Sequence, residues 1–180
     1  MPDDGLPPPP LSHLHATTAA RVQRLRELGL AERPDPAWDA FATGLSLRAE
    51  LPCAIVNFIG GRQYFAGLHL PPDADLLMDR AMSLDEGLCP EVVDRRRPLV
   101  LADVCSAPRF AGNPVVDRLG IRTYMGAPLM DHHTGLALGT VCAVGTEPRP
   151  KSDGRGMLEL IRTVREEIQQ RFDEHVGFLR

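Results

Sequence analysis

The segment that most constrains the fold runs from Arg122 to Pro148 and reads RTYMGAPLMDHHTGLALGTVCAVGTEP. It contains two apolar stretches on either side of the polar turn DHHTG. In that turn Asp131 can bond back to the backbone, and Gly135 can take the left-handed conformation. Such a turn joins antiparallel neighbours, so the segment predicts two paired strands.

The second of these strands is apolar on both faces. Strand alternation separates a larger, mixed set from a small set: these are Leu136, Leu138, Thr140, Cys142 and Val144, and then Ala137, Gly139, Val141 and Ala143. A strand covered on both sides is typical of the centre of a sheet. We expect the small face to admit a close helix and the larger face to wall a cavity. Pro128 fits poorly inside a central strand and predicts a bulge or a strand end.

The N-terminal part of the chain reads as a leader followed by two helices. Residues 1–11 contain four consecutive prolines, which predict a disordered or extended leader. Ser12 is the expected N-cap of a helix over 13–28 that buries its leucines and turns its arginines to water. A second helix is expected over 37–50.

The rest of the chain reads as hairpins, a short helix and a long helix at the end. CAIVNFI and RQYFAGL flank Gly60-Gly61, which is a hairpin signal. LCPEVVDRRRP predicts a short helix with Cys89 at its N-cap, LVLAD a strand, and VVDRLG one or two helical turns. A long helix is expected over 153–178. Hairpins dominate the connections, so we predict a largely antiparallel sheet in an α+β fold.

Composition and motifs exclude several classes of function. The chain has 180 residues, a formal net charge of -4 and no basic run with interleaved aromatics, so nucleic acid is not an expected partner. No apolar stretch approaches the roughly 18 residues of a membrane span, and no signal peptide is visible, which predicts a cytoplasmic location. The four cysteines form no C-x-x-C pair, so no metal site is expected. The absence of G-x-S-x-G, P-loop and paired-carboxylate motifs predicts a protein that is not an enzyme.

The string LCPEVVDRRRPLVLADVCSAPRFAGNPVVDRLGIRTYMGAPLMDHHTGLALGTVCAVGTEPR resembles the core of a GAF domain, in the form found in bacterial sensor proteins. The resemblance covers about residues 35–175, and with the helices at its ends we expect a single GAF-like domain over 12–180. It implies a central antiparallel sheet with the terminal helices on one face and a loop-covered small-molecule pocket on the other. The implied function is sensory and regulatory, with signals passed through a homodimer of the terminal helices or a separate output protein. The ligand and any cofactor stay unknown.

Cys89 is the sharpest candidate for chemistry. A thiol at a helix N-terminus can have a lowered pKa and be reactive; the alternative is a small buried hydrophobe that packs on the sheet. Sequence alone does not give the distance that a disulfide between Cys89 and Cys105 would require. The full set of pocket candidates is Phe58, Phe65, Cys89, Asp103, Arg109, Phe110, Tyr124, Thr140 and Cys142.

Several of these candidates have a structural alternative. Asp103 either caps the turn that follows it or pairs with a ligand donor. Arg109 and Phe110 form either a lid or a loop anchor. Tyr124 is otherwise a half-buried tyrosine with a satisfied hydroxyl, and Cys142 is otherwise core.

The terminal helix carries an apolar stripe at helical spacing, formed by Met157, Ile161, Val164, Ile168 and Phe172. Packing on the sheet alone would explain the stripe. Because it continues along the helix and the leader helix matches it, it also suits a dimer interface.

Other activities of the GAF scaffold match less well. Cys89 in GLCP resembles one cysteine of the free methionine-(R)-sulfoxide reductases, which makes a thiol redox enzyme or sensor the alternative function. Asp79 stands where a second cysteine would be, and Cys105 does not fall at the place of the third. The sequence shows no Cys-His pair for a chromophore, no cyclic-nucleotide signature and no histidine that stands out as a haem ligand.

Overall fold

Six strands form one antiparallel sheet in the computed structural model, which describes residues 11–72, 74 and 79–178. The strands are β1 (Cys53–Ile59), β2 (Gln63–His69), β3 (Ala81–Met82), β4 (Leu99–Leu101), β5 (Thr123–Asp131) and β6 (Leu136–Gly145). Their order in the sheet is β3-β2-β1-β6-β5-β4. The predicted α+β class and both predicted hairpins are confirmed. The predicted leader lies outside the described residues, apart from Leu11.

Seven helices accompany these strands in the described parts of the chain. They are α1 (Ser12–Ala16), α2 (Thr18–Glu27), α3 (Pro36–Ala49), α4 (Cys89–Arg95), α5 (Pro108–Ala111), α6 (Pro114–Leu119) and α7 (Gly154–Phe178). Two short 3-10 turns cover Val104–Ser106 and Lys151–Asp153. Helix α3 begins where the sequence signals it, because Asp35 accepts the N–H of Ala37 and Pro36 holds the first helical position. Among these helices none is long and apolar enough to cross a membrane.

The helix predicted over 13–28 is divided at Thr17. Ser12 is its first helical residue and not its N-cap, which is Leu11 and makes no side-chain capping bond. The hydroxyls of Thr17 and Thr18 donate to carbonyls of the preceding turn. Arg21 lies across the break, and it is wholly buried. The prediction that the arginines of this segment face water is therefore wrong for Arg21.

Strand β6 lies between β1 and β5, so the predicted central strand is confirmed. From Thr140 onward its alternation is as predicted, with Cys142 in one apolar cluster and Val141 in the other. A register shift between Leu129 and Met130 of β5 reverses the alternation at the start of β6. Leu136 and Leu138 consequently pack on the helix side of the sheet and Ala137 on the cavity side, which corrects the predicted faces of all three. Pro128 itself pairs within β5, one residue before the bulge that it signals.

Helix α7 packs its apolar stripe on the sheet within one chain. The five stripe residues, Met157, Ile161, Val164, Ile168 and Phe172, are all buried in the core that α3 and α7 form with the sheet. Packing on the sheet therefore accounts for the stripe. A homodimer through the terminal helices stays a prediction, and it would have to use the outer face of α7.

The turn between β5 and β6 is tied to helix α2 through Asp131. Its carboxylate accepts from the Arg24 guanidinium at 2.6 Å, from the Thr134 hydroxyl at 2.7 Å and from the His133 N–H at 3.1 Å. Gly135 follows with a φ of 73°, as the turn sequence predicts. The Asp131 side chain is 1% exposed, so these bonds replace its hydration.

We expect Asp131→Asn to lower the free energy of unfolding by about 3 kcal/mol at neutral pH, because the amide loses the charged bond to Arg24. Burial raises the pKa of Asp131, but the bonds to Arg24, Thr134 and the His133 N–H together bring the pKa below its ordinary value. The unfolded chain therefore binds more protons, so this contribution is complete above about pH 5 and is lost as the pH falls through the folded-state pKa.

Urea unfolding at about pH 7 and about pH 3 measures this effect. The difference between the wild type and Asp131→Asn should shrink at the lower pH. The control is Asp85→Asn, at an exposed carboxylate, which should change stability by less than about 0.5 kcal/mol. An equal difference at both pH values would contradict the charged role of Asp131.

Candidate functional site

A cavity of about 290 Å³ lies between the sheet and the helices α4 and α6, on the face opposite α3 and α7. Its walls are mainly apolar. None of its described lining residues is an Asp, Glu, Lys, Arg or His. The apolar walls include Ile55, Phe65, Leu88, Val115, Ile121 and Val144.

Two amides hold the loop that leads into α4. The Gln63 amide N–H donates to the carbonyls of Ser83 and Glu86, each at 2.6 Å. Asn113 accepts the N–H of Gly87 at 3.1 Å and donates back to its carbonyl at 2.9 Å. These bonds fix the chain just before α4 and thereby place Cys89 in the cavity wall.

Sequence reasoning missed both amides. Asn113 had a usable signal, because an Asn before a Pro is typical of a helix start, and it does cap α6. Gln63 had a weaker one, since it alternates with Phe65 on the cavity face of β2. Its partners lie on a distant loop, which no local pattern reveals.

Two thiols and a phenol meet at the floor of the cavity. Cys89 Sγ lies 3.4 Å from Cys142 Sγ and 3.5 Å from the Tyr124 hydroxyl. All three residues are buried, and all three line the cavity. Cys89 is the first residue of α4 and Leu88 stands at the N-cap, which corrects the predicted position by one residue. Helix α4 has only 7 residues, and the hydrogen-bond partners of the Cys89 thiol are what lower its pKa.

The hydrogen-bond partners of Cys89 and Cys142 shift the pKa values of the two thiols in opposite directions. The hydrogen bond between Cys89 and Cys142 lowers the pKa of Cys89, burial opposes this, and Thr140, Tyr124 and Asn57 add to the lowering, which leaves the pKa at about 6. The same bond to Cys89, together with burial, raises the pKa of Cys142. The pair therefore loses its first proton at Cys89, while Cys142 keeps its own.

Tyr124 reaches this cluster because Gly126 has no side chain. A Cβ atom at position 126 would lie 2.2 Å from the phenol oxygen of Tyr124. The two residues share one face of β5 at a spacing of two. The Tyr-x-Gly pattern was the sequence signal for a tyrosine lying along its own strand.

The predicted pocket residues divide into two groups. Phe65, Cys89, Tyr124 and Cys142 line the cavity, and Thr140 lies near Cys89 on the same face. Phe58 is on the opposite face, with its ring 5.8 Å from that of Trp38 and 6.3 Å from that of Phe172. Its pocket placement is corrected because the alternation of β1 turns Phe58 toward the helices.

The predicted residues from the loop after β4 lie outside the described lining of the cavity. Asp103 accepts the N–H of Cys105 and forms two 3.1 Å bonds with Arg122. Arg109 bonds to Glu91 and lies 5.3 Å from the Phe110 ring centroid. These contacts match the structural alternatives, a turn cap and a loop anchor.

The remaining cysteines differ from the cavity pair. Cys105 is exposed, whereas Cys53 lines the cavity at the start of β1. Burial raises the pKa of Cys53 to about 12, so it stays a neutral thiol. Within the described ranges, no three His, Cys, Asp or Glu side chains are grouped so that they could hold a metal ion.

Comparison with known proteins identifies the family. The family model described as GAF domain matches residues 14–171. Among solved structures, the GAF domain of A. aeolicus nlh2 in an inactive state is 18% identical with a TM-score of 0.60, over 89% of this chain and 98% of that one. The GAF domain of an Acinetobacter phosphoenolpyruvate-protein phosphotransferase is 13% identical with a TM-score of 0.58, over 89% of this chain and 97% of that one.

A structure with a different activity shares the fold. The free methionine-R-sulfoxide reductase of Neisseria meningitidis, in complex with its substrate, is 14% identical with a TM-score of 0.50, over 88% of this chain and 89% of that one. No curated protein matches the chain. At such identities these structures support the fold and not a shared activity. Since the family model also spans most of its length, the chain belongs to the GAF domain family.

Proposed function

We propose that this protein is a sensory GAF domain whose cavity binds a small, uncharged and largely apolar molecule. The observation that carries the proposal is that no described lining residue of the 290 Å³ cavity is an Asp, Glu, Lys, Arg or His. A carboxylate or phosphate buried there would find no counter-charge, which is costly. The Tyr124 hydroxyl and the thiols leave room for one or two hydrogen bonds, which suits a neutral molecule with one polar group.

The helix that covers the cavity also contacts the N-terminal helices, which supports a regulatory role. Asp94 of α4 accepts the N–H of Leu14 in α1 at 2.8 Å. Arg21 of α2 in turn donates to the carbonyls of Leu14 and Ile59. A ligand that displaces α4 would therefore alter the N-terminal helices, from which a dimer partner or a separate output protein could receive the signal.

The proposed role is binding and not turnover. A sulfoxide reductase activity has less support, because it rests on Cys89 and on a likeness to the Neisseria enzyme at 14% identity. The position that matches a second reductase cysteine holds Asp79. Sensing is therefore the function with the better support.

The charge selectivity of the cavity can be tested with benzamide and benzoate, which have the same size and differ in charge. We expect benzamide to bind, as seen by saturation-transfer NMR, and benzoate to bind at least about tenfold more weakly because its charge is desolvated without a partner. Val144→Trp, which fills the cavity, should abolish benzamide binding.

The matched control is Leu47→Trp, at a side chain that is 72% exposed on α3. It adds the same ring outside the cavity and should leave benzamide binding unchanged. Equal binding of benzamide and benzoate would contradict a neutral ligand. Benzamide binding that survives Val144→Trp would place the bound molecule elsewhere.

A further inference from the structure

Two of the cysteines touch each other where the cavity meets the sheet. Cys89 comes from α4 and Cys142 from β6, and their sulfur atoms are 3.4 Å apart. Both open onto the cavity, so a small molecule in it can reach them. Cys105 is exposed to solvent, and Cys53 is held neutral by burial. Contact and access together distinguish the pair from the other thiols.

The surroundings of the pair favour one anion at one position. The Tyr124 hydroxyl is 3.5 Å from Cys89 Sγ. The Thr140 hydroxyl is fully buried and has no hydrogen-bond partner among the described residues. Its proton can therefore turn toward Cys89, whose pKa is lowered while that of Cys142 is raised. A thiolate beside a protonated thiol is the arrangement in which one sulfur attacks and the second resolves.

We propose that Cys89 and Cys142 are a redox pair that a hydroperoxide entering the cavity converts into a reversible disulfide. The inference rests on the proposed function only in using the same cavity. It adds a modification site to that cavity and names hydrogen peroxide or a small neutral organic hydroperoxide as the oxidant.

The reaction balances in two steps. The Cys89 thiolate attacks one oxygen of the hydroperoxide, the O–O bond breaks, and Cys89 becomes a sulfenic acid while the alkoxide or hydroxide leaves and takes up a proton. The Cys142 sulfur then attacks the sulfenic sulfur, the S–S bond forms, and hydroxide leaves with the Cys142 proton as water. The two thiols supply two electrons, and the hydroperoxide is reduced to an alcohol or to water.

The disulfide would move the helix that covers the cavity. A disulfide has an S–S distance of about 2.05 Å, so the sulfurs must approach by about 1.4 Å from their present 3.4 Å. Cys89 is the first residue of α4, whereas Cys142 lies in the central strand. We therefore expect α4 to move toward the sheet, and with it the Asp94 contact to α1.

Non-reducing peptide mapping of the full chain tests the pair directly. The reduced protein is treated with one equivalent of hydrogen peroxide, alkylated, and digested with trypsin. Each cysteine falls in its own tryptic peptide because arginines separate them, at Arg62, Arg80, Arg95 and Arg122. We expect a cross-link between the peptide 81–95 and the peptide that contains Cys142, and its loss with dithiothreitol.

Variants assign the two roles. Cys142→Ala should prevent the cross-link and leave a sulfenic acid on Cys89, which dimedone traps as a stable adduct. Cys105→Ser, at the exposed thiol, should leave the amount of cross-link unchanged. Val144→Trp should slow cross-linking about tenfold, because access to the pair is blocked.

The wild-type map decides the proposal even where a variant fails to fold. Peroxide treatment that oxidises Cys105 and leaves Cys89 and Cys142 fully alkylated would overturn it, as would a cross-link from Cys89 to Cys53. Benzamide binding by a protein that forms no cross-link would retain the sensor proposal and reject the redox pair. A cross-link in a protein that does not bind benzamide would do the reverse.

Discussion

Replacing Gly67 by alanine is expected to destabilise the protein by about 3 kcal/mol. Helix α3 lies so close to β2 that a Cβ atom at position 67 would be 2.3 Å from the carbonyl oxygen of Trp38 and 2.4 Å from its carbonyl carbon. Both are backbone atoms, so no side-chain rotation relieves the contact. The helix itself must move, and Trp38 with it, away from Phe58 in the core.

Gly44→Ala is the matched control, since it makes the same chemical change within α3. Apart from its chain neighbours and the adjacent backbone of α3, no atom of the described residues lies within 4 Å of a Cβ at position 44, and its backbone is helical. The free energy of unfolding of this variant should therefore rise by about 0.5–1 kcal/mol, because alanine has a higher helix propensity than glycine. Urea unfolding measures both variants. A Gly67→Ala protein within about 1 kcal/mol of the wild type would show that α3 can shift without loss of packing.

The close approach at Gly67 illustrates which parts of the fold could not be predicted from the sequence. The pattern of β1 and β2 predicted a hairpin, because alternation and turn residues are local. The contact between Gly67 and Trp38 joins a strand to a helix that precedes it, and only the folded chain brings them together. The bulge between Leu129 and Met130 is similar, since its effect on Leu138 depends on pairing between two strands.

The candidate site, like the fold, could be predicted only in its local features. The sequence placed Cys142 on the larger face of a central strand and Cys89 at the start of a short helix, and both positions were correct to within a residue. Their contact spans 53 residues, and no pattern selects Cys142 over Cys105 as the neighbour of Cys89. Phe58 was assigned to the cavity because residue type alone does not fix which face of β1 is covered by helices.

Arg21 gives the second large prediction, because it is a buried arginine that forms no ion pair with any of the described residues. Its guanidinium donates to the carbonyls of Ile59 at 2.8 Å and Leu14 at 2.7 Å, and to the hydroxyls of Thr17 and Thr18. Burial lowers the pKa of Arg21 to about 10, with Asp94 acting in the opposite direction, so the side chain stays protonated at neutral pH.

We expect Arg21→Met to lower the free energy of unfolding by about 3–4 kcal/mol, because it removes the buried guanidinium bonds to the carbonyls of Ile59 and Leu14 and reduces the packed volume. Arg21→Lys should recover only part of this loss, since one ammonium cannot reach the partners that the planar guanidinium connects. Arg26→Gln, at an exposed position of the same helix, is the control and should change stability by less than about 0.5 kcal/mol.

Loss of Arg21 should also release the N-terminal helices before the sheet unfolds. Arg21 joins the break between α1 and α2 to the end of β1, and α1 is otherwise tied to α4 through the Leu14 N–H and Asp94. Hydrogen exchange of Arg21→Met should therefore show reduced protection in α1 and α2 while the β5–β6 hairpin stays protected. Equal loss of protection in both regions would mean that Arg21 stabilises the whole fold, and that the N-terminal helices do not respond separately to events at α4.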